Sequence, residues 1–166
     1  FIRNADVVKI ACLAQIVNVI APVLTNSDGL LFQSIYHPIV RYAELATGDS
    51  LTPLIDGPAY DAGERGSVPS LDVSASYESS TGEVAVFAVN RDPGNSTTAT
   101  VSVNGRSVTN ADPGWLMTGD DPKAFNDWAA ADRVVPSTCT VSVEDGVAHM
   151  ELPPMSIVVA TMGTST

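Results

Sequence analysis

Hydrophobic positions change their period near residue 50. In NADVVKIACLAQI, residues 4–16, Val7, Ile10, Ala11 and Ala14 share one face at helical spacing, and Val8 and Leu13 widen it. That pattern predicts a helix. Asn4 is placed to cap it, and Asp6 falls in the first turn, where a carboxylate suits the helix dipole. The next stretch, VNVIAPVL at 17–24, is almost wholly apolar. It predicts a strand buried on both faces, as in a parallel sheet. The polar loop TNSDG follows, and a second helix is expected over 36–47. Pro38 stands near its start, Ile39, Val40, Ala43 and Ala46 are among its apolar positions, and Gly48 is suited to end it.

Beyond residue 50 apolar and polar positions alternate. Leu71, Val73, Ala75 and Tyr77 interleave with Asp72, Ser74 and Ser76. A Ser-Ser-Thr-Gly turn leads into EVAVFAVNR, which reads as a central strand. Asp92-Pro93-Gly94-Asn95 is a turn, Ala99, Val101 and Val103 alternate again, and Asn104-Gly105 is a tight-turn pair. Further strands are expected at 115–118, 139–144, 147–152 and 155–161, with Glu144-Asp145-Gly146 as a hairpin turn. Short strands and frequent turns predict a β-sandwich. The longer segment GDDPKAFNDWAAADRVVP interrupts them, with a short helical turn expected around Phe125–Ala130.

Composition narrows the partners. The 166 residues are 45% apolar and 16% charged, a globular balance. Nineteen acidic residues against 8 basic give a net charge of −11, which repels nucleic acid and anionic membranes alike. The longest apolar run, Ile16–Leu24, is broken by Asn18 and Pro22 and is too short to span a bilayer. FIRNAD lacks the pattern of a secretory leader. Helix, buried strand, loop and helix are a fragment of an α/β fold, because a single strand makes no sheet. The chain is therefore expected to be the C-terminal part of a longer one. Cys12 falls in a helical pattern and Cys139 in a strand pattern, so two buried free thiols are expected in preference to a disulfide. Asn95-Ser96-Thr97 is a formal glycosylation triplet of a kind that arises often by chance.

Candidate chemistry is sparse. His37 and His149 do not cluster with cysteines at metal spacing. No Gly-x-Ser-x-Gly elbow and no phosphate loop are present. Glycoside hydrolysis needs a pair of carboxylates, but Glu44, Glu64, Glu78, Glu83, Glu144 and Glu151 all fall at turns or in helix and strand positions expected to be solvated. Asp120-Asp121 does not have the spacing of a calcium loop. Gln33 differs in kind, since it follows the C-terminal end of the predicted parallel strand, where α/β enzymes bind ligands. An amide both donates and accepts hydrogen bonds. From position alone, a ligand contact and an ordinary loop amide both remain open for it. Trp115 and Trp128 are expected in packing, with no aromatic platform evident.

FIRNADVVKIACLAQIVNVIAPVLT closely resembles the end of the catalytic barrel of α-L-arabinofuranosidases of glycoside hydrolase family 51. TGDDPKAFNDWAAADRVVP and ELPPMSIVVATM resemble that family's C-terminal sandwich, in the right order. The resemblance implies the end of a (β/α)8 barrel over residues 1–49, followed by an all-β, jelly-roll-like sandwich over 50–166. Residues 4–15 would be the seventh barrel helix, 17–24 the eighth strand and 36–47 the eighth helix. The implied enzyme is a retaining, exo-acting glycosidase that removes terminal non-reducing arabinofuranosyl groups from arabinan, arabinoxylan and their oligosaccharides. Its two catalytic glutamates fall on barrel strands upstream of Phe1, so no catalytic residue is expected in this chain. Gln33, in LLFQSIYHP, matches a family glutamine that contacts the arabinofuranose, although Leu31-Phe32 stand where the family often has an aromatic–arginine pair. The resemblance further implies the remainder of the barrel as a partner, homo-oligomeric assembly, a cytoplasmic or secreted setting, and no cofactor or metal. The alternative is a non-catalytic carbohydrate-binding or structural β-sandwich.

Overall fold

The computed structural model describes residues 1–165. In chain order the strands and the single helix are β1 (Val23–Asn26), β2 (Gly29–Phe32), α1 (Tyr36–Leu45), β3 (Asp49–Leu51), β4 (Ala59–Asp61), β5 (Ser67–Pro69), β6 (Leu71–Glu78), β7 (Glu83–Asn90), β8 (Thr97–Val101), β9 (Ser107–Ala111), β10 (Gly114–Met117), β11 (Ser137–Cys139), β12 (Val141–Glu144), β13 (Val147–Leu152) and β14 (Ser156–Ser165). A seven-stranded antiparallel sheet runs β11-β10-β14-β7-β6-β3, and β9 pairs with the far end of β14. A three-stranded sheet, β12-β13-β8, faces it. The described residues form an all-β sandwich with one short α-helix.

The side-chain pattern explains the layers. On β7, Val84, Val86 and Ala88 join Ala148, Met150 and Leu152 of β13 in the core between the sheets. Ala85 and Phe87 point the other way and meet Tyr42 and Leu45 of α1. Both faces of β7 are covered, so its apolar residues form an unbroken run instead of alternating. The sandwich hairpins follow their turn chemistry. Asp145 and Gly146 both take positive φ (49° and 79°) between β12 and β13, the conformation a two-residue hairpin turn requires. Asp92 Oδ1 accepts the N–H groups of Gly94 and Asn95, closing the turn after β7.

Helix α1 lies on the outer face of the large sheet. Pro38 sits in its first turn, where its missing N–H costs nothing. The Tyr42 ring packs 4.5 Å from that of Phe87. The helix ends at Leu45, and Gly48 follows at φ 72°, pressed against the backbone of β6. The inward side is not the expected one: Tyr42 and Leu45 face the sheet, while Ile39, Ala43 and Ala46 are exposed and Val40 is half-buried.

Two expectations before residue 36 are corrected. Residues 4–16 form no α-helix; only Ile2–Asn4 make a 3₁₀ turn, and Asn4 makes no side-chain cap. Short isolated helices are marginal without a packed face, and here Val7 and Ile10 are exposed and pack on nothing. Nor do residues 17–24 form a strand of a parallel sheet. Among the described residues no strand flanks them on both edges, and Val23–Asn26 instead pairs antiparallel with Gly29–Phe32. The polar TNSDG loop becomes that hairpin's turn, because Asn26 Oδ1 accepts the N–H groups of Asp28 and Gly29. No barrel closes among the described residues. The helical turn expected at Phe125–Ala130 is also replaced, by a tight turn at Asp127–Ala130 whose N–H groups bond Asp127 Oδ1.

Candidate functional site

Gln33 stands between the end of β2 and the start of α1. Its backbone is fixed on both sides: its N–H donates to the Pro22 carbonyl (2.8 Å), and its carbonyl accepts from Tyr36 N–H (2.9 Å). The neighbouring Phe32 ring stacks on Tyr36 at 4.3 Å. Leu31 and Ala21 are buried and anchor the base of the loop. Gln33 lines an open cavity of about 240 Å³ together with Val19, Ile20, Ala21, Leu24 and Ile35. Ser34 lines it too, and apolar side chains interrupted by one amide and one serine suit a ligand that offers both hydroxyls and C–H surface. A second concavity of about 380 Å³, which shares Ser34 and Ile35 with the first, is lined also by Pro38, Met117, Met155 and Ile157. Gln33 does not line it.

The loop is also held from the sandwich. Asn126, fully buried, donates from Nδ2 to the Phe32 carbonyl and to the Val134 carbonyl, both at 3.0 Å. Its Oδ1 accepts Val134 N–H at 2.8 Å. Sequence reasoning did not single out Asn126. An asparagine in a Gly/Asp/Pro-rich stretch reads as a turn former, and the only hint of burial is its place between Phe125 and Trp128.

The remaining candidates do not converge on Gln33. None of the six glutamates is buried, so no carboxylate here has the dry setting that a general acid needs. Asp121 closes its own turn by accepting Lys123 N–H, and both Asp120 and Asp121 are exposed. His149 Nδ1 lies 3.2 Å from Thr100 Oγ1 across the β13–β8 pair. Trp115 packs beneath α1, whereas Trp128 has about half its surface open, 49%. Cys12 and Cys139 are both free, but Cys12 is exposed where burial was expected. Burial pushes the Cys139 thiol pKa up. Among the described residues no group of three or more His, Cys, Asp or Glu side chains is placed to hold a metal. Among the described residues no helix is long and apolar enough to cross a membrane.

His37, in the first turn of α1, has its Nε2 buried without a hydrogen-bond partner. Burial holds its pKa below 6.5, and Asp132 opposes that shift only in part. The folded state thus binds its proton less readily than the unfolded chain, and stability is lost as pH falls below 6.5 toward the folded-state pKa. An NMR titration is expected to place the His37 midpoint below 6.5. A midpoint above that value would mean that Asp132 outweighs burial.

Comparison with known proteins bears on the whole chain. The family model described as "Alpha-L-arabinofuranosidase C-terminal domain" matches residues 1–156. An "Intracellular exo-alpha-(1->5)-L-arabinofuranosidase" of Streptomyces lividans is 34% identical over 157 residues, covering 93% of this chain and 24% of that protein. An "Exo-alpha-(1->6)-L-arabinofuranosidase" of Bifidobacterium longum is 31% identical over 160 residues, covering 93% of this chain and 30% of that protein. Among solved structures, a family 51 α-L-arabinofuranosidase from Bifidobacterium longum superposes with a TM-score of 0.87 at 28% identity, over 95% of this chain and 31% of that one. The GH51 arabinofuranosidase from Xanthomonas axonopodis pv. citri gives 0.85 at 28% identity, over 98% and 33%. The chain spans a quarter to a third of the length of these relatives.

Proposed function

The chain belongs to the α-L-arabinofuranosidase C-terminal domain family, and on that premise we propose that it is the terminal part of a retaining, exo-acting α-L-arabinofuranosidase. Residues 1–49 complete a (β/α)8 barrel and residues 50–166 form the sandwich beside it. The two catalytic glutamates come from the remainder of the barrel. They stand ~5 Å apart, one protonating the leaving oxygen and the other attacking the sugar carbon. Gln33 reaches the arabinofuranose, donating to one hydroxyl and accepting from another. The substrates are terminal non-reducing arabinofuranosides of arabinan, arabinoxylan and their oligosaccharides. A cytoplasmic setting follows the names of relatives called intracellular, and the family resemblance supports a homo-oligomer.

The observation that carries this reading is the apolar surface before the hairpin. Val7, Ile10, Ile16, Val19 and Ile20 are each at least 70% exposed. Soluble surfaces rarely expose a run of this kind without a body to cover it. The outward face of α1, with Ile39, Ala43 and Ala46, adds to it. The remainder of a barrel is the body that fits, because residues 1–25 resemble the end of the family's catalytic barrel.

The test is hydrolysis of an aryl α-L-arabinofuranoside by the chain alone and by the chain joined to the barrel segment of a family relative. The chain alone is expected to be inactive and the joined protein active. Hydrolysis by the chain alone would overturn the reading. Binding of arabinan by the chain alone, with an inactive joined protein, would favour a carbohydrate-binding sandwich instead.

A further inference from the structure

We propose that Asn126 is a positioning residue that locks the Gln33 loop to the sandwich and sets the direction of the Gln33 side chain; this rests on the reading of Gln33 given above. The argument concerns one peptide unit, the Phe32–Gln33 bond. A peptide is planar, so its orientation is fixed once its carbonyl and its N–H are both held. The Gln33 N–H is held by the Pro22 carbonyl at 2.8 Å. The Phe32 carbonyl, on the opposite edge, is held by Asn126 Nδ2 at 3.0 Å. The first bond is local to the hairpin. The second comes from the far side of the sequence, on the segment between β10 and β11.

Three features mark the second bond as more than incidental. Asn126 is 0% exposed, and a buried carboxamide is costly unless its hydrogen bonds are made. It satisfies them with a fork, in which Val134 N–H and carbonyl fix the plane of the amide and leave one Nδ2 proton directed at Phe32. The connection that carries it, residues 118–136, has no strand or helix. Loops longer than ~12–15 residues without structure of their own are usually either functional or loose linkers, and this one is tied down by hydrogen bonds at Asp121, Asn126 and Val134. Asp127 rigidifies the segment by closing the next turn. The sandwich thereby does more than pack beside the barrel; it reaches into the first turn of the substrate loop.

The test is a double-mutant cycle in the complete enzyme, with Gln33→Ala, Asn126→Asp and the pair, reading kcat and KM on an aryl α-L-arabinofuranoside. Asp keeps the acceptor for Val134 N–H but turns an oxygen toward the Phe32 and Val134 carbonyls. Asn126→Asp alone is expected to lower kcat/KM about tenfold, the scale of one lost buried hydrogen bond. In the Gln33→Ala background the further loss is expected to be no more than about twofold, because a residue acting through Gln33 has nothing left to act on. A merely structural role would cost the same factor in both backgrounds, and that result overturns the proposal, as does a wild-type kcat/KM in Asn126→Asp. If Gln33→Ala alone leaves kcat/KM unchanged, the sugar-contact reading fails first and the proposal falls with it. If Asn126→Asp does not fold, Asn126→Ala, which removes the fork without adding charge, takes its place in the cycle with the same expectations.

Discussion

Phe87→Ala is expected to destabilise the domain by about 3–5 kcal/mol, the usual cost of emptying a buried phenylalanine site. Phe87 is 1% exposed at the centre of β7, on the face turned away from the sandwich core. Ala85 and Val159 flank it, and Tyr42, Leu45, Trp115 and Ile157 close over it. Removing the ring leaves a cavity that a seven-stranded sheet cannot collapse to fill. It also removes the aromatic contact that seats α1. Because α1 begins three residues after Gln33, the Gln33 loop is expected to loosen along with the helix. Denaturant unfolding followed by tryptophan fluorescence checks this, since Trp115 belongs to the same cluster. The midpoint is expected to fall with an unchanged slope. Phe125→Ala, at a ring 54% exposed, is the control and is expected to stay within about 0.5 kcal/mol of wild type. Equal effects at the two positions would contradict the placement of α1 on the sheet.

Gly48→Ala is the second large effect, expected at about 3 kcal/mol. Two causes act together. Gly48 takes φ 72°, a conformation that costs any residue with a Cβ. A Cβ there would also fall on the Tyr77 carbonyl oxygen, with the Tyr77 carbonyl carbon 2.8 Å away and Glu78 Cα 2.9 Å away. All three are backbone atoms of β6, so no side chain can swing aside. The chain turns at this point from α1 into β3, which pairs with β6 through Asp49–Tyr77 and Ser50–Ser76. Gly105→Ala is the comparison. It has φ 74° but open space around the site, so it pays the conformational cost alone. Thermal unfolding of both variants separates the two causes. Similar losses at the two glycines would mean that the approach of β6 does not matter.

Most of the sandwich was legible because its side chains obey local rules. Alternation found β6 and β8, the unbroken run found β7, and Glu144-Asp145-Gly146 announced the β12–β13 hairpin. β9 was not anticipated, because Val108 is its only buried residue and one apolar position makes no period. β14 runs on to Ser165, past the expected end at 161, because Gly163 and Thr164 pair with β9 through a register shift that composition does not announce. Helix α1 was found from Pro38, its apolar spacing and Gly48, although its inward face had to wait for Tyr42 and Leu45. Residues 4–24 failed differently. Their pattern records which side chains need cover but not what provides it, and a helix or strand forms only where that cover exists. At the site, Gln33 was singled out from its place after a predicted parallel strand, which the structure replaces with the β1–β2 hairpin, and from the family resemblance. Asn126 was not, since its importance comes from a carbonyl distant in sequence that only the fold brings near.

One measurement tests the central claim most directly: kcat/KM of the complete enzyme carrying Gln33→Ala, on an aryl α-L-arabinofuranoside. If Gln33 holds the arabinofuranose in the transition state, the loss is expected to be about 1–3 kcal/mol, or roughly 5- to 150-fold, with folding unchanged. An unchanged kcat/KM would mean that this chain contributes no sugar contact at Gln33.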